Sequence, residues 1–183
     1  ERLGISEKDV CSVSVFKRSY DARKKANILL IYQLDVELRS EQEHKLLEQF
    51  KNDSRVSQSP DTHYRFVALA DPHFPQAEQQ RPIIVGFGPC GILTALLLAQ
   101  MGLKPIVLER GREVRQRTKD TWAMWRKREL NTESNVQFGE GGAGTFSDGK
   151  LYSQVKDRRT LGRTVMYEVC KAGGPNATLD CRA

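Results

Sequence analysis

Gly86, Gly88 and Gly91, following the apolar run Ile83–Val85, constrain this chain more than any other feature. A short continuous apolar run predicts a strand buried on both faces of a parallel sheet. The glycine spacing then predicts a tight turn, a helix over Ile92 to Met101 stopped at Gly102, and a second parallel strand over Pro105 to Leu108. Each glycine has a physical purpose in such a βαβ unit. Gly86 allows the sharp turn, Gly88 lets backbone approach a ligand, and Gly91 lets the helix pack closely on the strand. The free N–H groups and positive dipole end of the helix suit the two negative phosphates of a dinucleotide.

Glu109 ends the second strand, where an acidic group binds adenosine ribose hydroxyls. That placement favours FAD or NAD over NADP, with the adjacent Arg110 leaving room for a 2′-phosphate. Pro89 and Cys90 complete the turn. The Cys90 position calls for a small side chain, and a buried cysteine acts as a small hydrophobe.

A second glycine-rich stretch, QFGEGGAGTFSDGK over residues 137–150, implies backbone in close contact with another group. Gly144 to Lys150 matches most of a Walker A loop, GxxxxGK, but Leu151 stands where magnesium binding needs Ser or Thr, and no apolar strand precedes it. The expectation is a second loop beside the flavin or its phosphates. Asp148 and Lys150 are its polar candidates, and no catalytic acid or base can be named. Trp122 and Trp125, with Val114 and Thr118, fall at helical spacing and read as a core face. The surrounding basic run, Arg110 to Arg128, reads as a solvated helix face.

The front of the chain has a different texture. Cys11 to Arg18 alternates as a strand, with Val13 and Val15 on one face, and Asp21 to Lys25 reads as a polar turn. Asn27 to Leu38 is a second strand, Ser40 with Glu43 makes a capping box for a helix through Phe50, and Tyr64 to Ala68 is a third strand. Strand, strand, helix, strand are the last four elements of a ferredoxin-like unit. Ser6 can cap a short turn, Gly4 ends a preceding helical tail, and a start at Glu1 suggests that the opening strand and helix precede this chain. The expected organisation is a small α+β ferredoxin-like appendage over residues 1–70, a linker over 71–81 carrying Pro72 and Pro75, and the first part of an α/β Rossmann-like FAD/NAD(P)-binding domain over 82–183.

Composition excludes other classes. With 39% hydrophobic and 28% charged residues, the chain is neither disordered nor membranous, and no apolar run approaches the roughly 20 residues needed to cross a bilayer. The four cysteines, Cys11, Cys90, Cys170 and Cys181, form no CxxC pair, and His44, His63 and His73 are isolated, so no metal site is expected. Without a signal-peptide succession, a cytoplasmic location is the default. A net charge of +6 suits an anionic partner, phosphate cofactor or nucleic acid. A nucleotide-sensing, nucleic-acid-binding protein is a rival reading, but the front half lacks the aromatic signature of an RNA-reading sheet. Substrate and oligomeric state are not encoded legibly.

The runs GFGPCGILTALLLAQMGLKPIVLERG and ESNVQFGEGGAGTFSDGKLYSQVKD closely resemble bacterial FAD-dependent dehydrogenases of the glutathione-reductase-like flavoprotein group, mostly uncharacterised. The second run is the distinctive one, and KRSYDARKKANILLIYQLDVEL resembles those proteins' ferredoxin-like front. The resemblance runs to about Lys171, after which Asn176 to Ala183 departs from it. It implies a longer flavin-dependent oxidoreductase, with pyrophosphate at Gly86, Gly88 and Gly91, adenosine at Glu109 and Arg110, a flavin-side role for Gly142, Gly144 and Thr145, and NAD(P)H as electron donor or acceptor. An NAD-dependent dehydrogenase is the rival enzyme.

Overall fold

The structure is a computed structural model that describes residues 3–146, 157 and 161–180. The chain divides into two compact units, one of Glu1–Tyr64 with Tyr152–Ala183, the other of Arg65–Leu151. These units cut the chain differently from the expected boundaries: the 71–81 segment joins the second unit, and the C-terminal part joins the first.

In the first unit, Ser6 accepts a hydrogen bond from the Lys8 N–H and caps a single 3-10 turn over Glu7–Asp9. Strands β1 (Val10–Asp21) and β2 (Leu29–Leu38) follow as an antiparallel hairpin. Val13 opposite Val36 and Val15 opposite Leu34 share one face, and register shifts at Cys11 and Phe16 bend β1. Helix α1 (Ser40–Gln49) has Arg39 as its N-cap, one residue before the expected Ser40, and Arg39 makes no side-chain cap bond. The core comprises Phe16, Leu38 and Leu46. Helix α4 (Leu161–Lys171) closes over it: Arg163 lies 4.7 Å above the Phe16 ring and donates to the Phe16 carbonyl at 2.7 Å. A short helix α5 (Ala177–Asp180) follows.

Residues 64–68 carry no strand, which corrects the expected third strand of this unit. Apolar composition supplies strand propensity, but a strand also needs an edge to pair with. This segment leads instead to the second unit, where the Ala70 N–H donates to Met101 O at 2.8 Å, satisfying a carbonyl at the end of a helix.

That helix is α2 (Pro89–Gln100), with Pro89 at its first position and Gly102, at φ 81°, beyond its end. It connects β3 (Ile83–Val85) to β4 (Ile106–Leu108), which pair in parallel with Ile83 opposite Ile106 and Val85 opposite Leu108. Ile84 lies beneath Gly91 of α2. The alternate residues Ile83 and Val85 are 63% and 85% exposed, contrary to the expectation of burial on both faces. The two-stranded sheet has no second covering layer among the described residues. The 71–81 segment is anchored, since Phe74 is buried, its carbonyl accepts from Lys104 Nζ at 2.6 Å, and Arg81 donates to Pro105 O at 3.3 Å.

Helix α3 (Val114–Lys127) reverses the expected inside and outside. Trp122 and Trp125 are 46% and 53% exposed, whereas Arg117 and Thr121 are fully buried. The Arg110 to Arg128 run is therefore not wholly a solvated face. A Cβ at Gly91 would collide with the Gly86 carbonyl oxygen and lie 3.0 Å from its carbon. Both are backbone atoms that cannot rotate away, so Gly91→Ala should cost about 2 kcal/mol or more and lower Tm by roughly 10 °C in a thermal melt.

Candidate functional site

The site is built where β3 turns into α2. Gly86 donates to Leu108 O at 2.7 Å while holding φ 95°, a conformation that side chains other than glycine's rarely adopt. The turn then presents the first N–H groups of α2. Pro89 has none to present, and those of Cys90 and Gly91 have no acceptor within the helix. No acidic residue lies in the first turn to repel an anion. A Cβ at Gly88 would stand in ordinary contact with Gly142 Cα at 3.8 Å, so the second glycine-rich stretch faces this glycine.

Glu109 ties the turn to the end of β4. One carboxylate oxygen accepts from the Phe87 N–H and the other from the Gly111 N–H, each at 2.7 Å. The Gly111 bond most of all holds this carboxyl below the ordinary glutamate range. Partial burial opposes it, and the Phe87 bond and the Arg117 and Arg110 guanidiniums reinforce it. Arg110 points elsewhere, its Nε paired with Glu133 at 2.6 Å and its side chain 74% exposed.

The second glycine-rich stretch packs on the turn. Gly141 donates to Phe87 O at 2.8 Å, and Gly142 approaches so closely that a Cβ on it would stand 2.9 Å from Gly88 Cα and 3.1 Å from Pro89 Cδ. Gly142 also holds φ 59°. A Cβ on Gly144 would sit 3.5 Å from Pro89 Cγ. Thr145 Oγ1 lies within the loop, donating to Glu140 O at 3.1 Å and accepting from Arg117 at the same distance. Glu140 in turn accepts from the Val114 N–H at 2.7 Å, capping α3.

Arg117 is the residue that sequence reasoning missed. From α3 it donates to Asn135 O at 2.7 Å, Val136 O at 2.6 Å and Glu140 O at 2.6 Å, and its guanidinium lies 5.0 Å from the centre of the Phe146 ring. Burial pushes its pKa down and the Glu109 charge pushes it back up. Five donors in a planar fork match this spread of carbonyls, which a lysine could not span. Its only sequence signal was position, two residues before Lys119 in a run that read as solvated.

The structure thus gathers Gly86, Gly88, Pro89, Gly91, Glu109, Gly142, Gly144 and Thr145, and leaves Arg110 at the rim. Cys90 is exposed, which corrects its reading as a buried hydrophobe: it stands at the open end of α2. Asp148 and Lys150 lie outside the described residues. Among the described residues no group of three or more His, Cys, Asp or Glu is placed to hold a metal, and no helix is long and apolar enough to cross a membrane.

Two outcomes test this geometry. Arg117→Met removes the donor to the buried carbonyl of Asn135 and to the part-buried ones of Val136 and Glu140, the last of which keeps the Thr145 hydroxyl, so urea unfolding should show a loss of about 3 kcal/mol, and amide exchange across residues 135–145 should accelerate. Glu109, whose folded pKa is depressed, stabilises fully above the unfolded value of about 4.3 and loses that contribution as pH falls through the lower folded value. Glu109→Gln should therefore cost about 1 kcal/mol at neutral pH, with the gap between the two proteins closing in acid.

Two similarities accompany this geometry. A family model described as a domain of unknown function (DUF8436) matches residues 1–37, the 3-10 turn and most of the hairpin. An uncharacterised protein of Clostridium beijerinckii is 41% identical over 175 residues, covering 96% of this chain and 31% of the relative. The chain spans about a third of the length of that curated relative, and the matched region runs through both compact units.

Proposed function

We propose that residues 82–146 grip the ADP portion of FAD in a flavin-dependent oxidoreductase, within a Rossmann-like domain. The observation that carries this reading is the convergence on Gly88 of a glycine turn, the unblocked first turn of a 12-residue helix, a carboxylate at the end of the neighbouring strand and a second glycine-rich loop. The N–H groups of Cys90 and Gly91 would meet the pyrophosphate. Glu109 spends one bond per oxygen on backbone, and a carboxylate has about four acceptor positions, so capacity for ribose hydroxyls remains.

The same carboxylate repels a 2′-phosphate, and the residue that could have welcomed one, Arg110, is committed to Glu133. This favours FAD or NAD over NADP at the turn. The loop from Gly141 to Thr145 lies on the Gly88 side, where it would exclude water and line the cofactor's path beyond the phosphates. The bound flavin would supply the redox chemistry, accepting or releasing hydride or single electrons. NAD(P)H is the proposed exchange partner in the longer protein.

Gly88→Ala tests the reading cleanly, because the added methyl has ordinary contacts in the protein itself and would occupy the phosphate's space. The natural-length protein should purify with flavin absorbance and the variant without it, and the flavin-free forms of the two should unfold at the same temperature. Retention of flavin by Gly88→Ala overturns the phosphate assignment. Binding of NAD in place of FAD by the unsubstituted protein would make it a nicotinamide enzyme.

A further inference from the structure

We propose that the groove along the exposed face of α3 is a second ligand site, one that takes a nucleoside diphosphate, independent of the glycine turn. Lys119, Trp122, Arg126 and Lys127 line it with Thr118 and Ala123, all from one face of α3, around an open depression of about 420 Å³. That size lies in the small-molecule range.

The lining holds three cations and no carboxylate, and none of the three forms an ion pair among the described residues. The one acid of α3, Asp120, is engaged by Gln116 at 3.0 Å and Arg112 at 3.5 Å. The helix dipole explains cations in the last turn at Arg126 and Lys127, but not Lys119 two turns earlier.

Aromatic surface supplies the second half of the recognition. Trp122, about half exposed, lines the groove with Arg126 4.6 Å over its ring, and Trp125 braces it from behind in edge-to-face contact, ring centres 5.3 Å apart. Indole stacks on a planar base, and the cations beside it meet phosphate oxygens. A charged groove alone would suit any anion. Trp122 beside the three cations selects an anion that also carries an aromatic ring.

Because the two tryptophans are confined to α3, intrinsic fluorescence of the 183-residue chain reports directly on this face. Titration with ADP should give a saturable change, competed by inorganic pyrophosphate. The change should persist in Gly88→Ala, which removes the glycine-turn site, and need about tenfold more ADP or greater in the Lys119→Glu, Lys127→Glu double variant. No saturable change, one that the double variant keeps in full, or one that Gly88→Ala abolishes overturns the groove as a site. Loss of flavin binding alone leaves it standing.

Discussion

A single buried guanidinium organises the second unit. Arg117 reaches from α3 to three carbonyls of the segment between Asn135 and Glu140 and to the Thr145 hydroxyl, and so does the work that a strand ladder or an apolar core would otherwise do for a loop rich in glycine. Burying a charge is costly unless its hydrogen-bonding capacity is used, and here the planar fork uses nearly all of it. The consequence reaches the glycine turn. Glu140, held through its carbonyl by Arg117, caps α3 with its side chain, and the next residues, Gly141 and Gly142, lie against Phe87 and Gly88.

Glu109 is the electrostatic counterpart. It joins the two ends of the βαβ unit by accepting from Phe87 and Gly111, and its charge offsets part of the cost of burying Arg117. Turn, carboxylate, arginine and loop are thus one connected polar network that surrounds Gly88. Such networks specify geometry strongly because each member is costly to leave unpaired.

The βαβ unit was legible because its signals are local. An apolar triplet, glycines at fixed offsets and Gly102 at a helix end each act within a few residues, and the elements appear in that order, although the helix begins at Pro89, three residues before the expected Ile92. The proximity of Gly142 to Gly88 was legible only as glycine density. The misreadings share another cause. Trp122 and Trp125 were placed inside by hydrophobicity, yet the buried face of α3 is polar because Arg117 finds its partners there. Ser40 has the residue type of a cap, but the helix begins from Arg39. The 64–68 run has strand composition but pairs with no edge, and the chain leads instead to the end of α2.

Sequence alone therefore determined the glycine turn, its helix, the flanking parallel strands and the acid at Glu109, since these depend on backbone sterics and short-range periodicity. Tertiary structure alone decided that Arg117 is buried, that the second glycine-rich loop closes on the first, that the tryptophans face solvent and that the C-terminal helices belong with the N-terminal hairpin. Each of those depends on which distant carbonyl, edge or face a side chain meets, and spacing along the chain carries no information about that meeting.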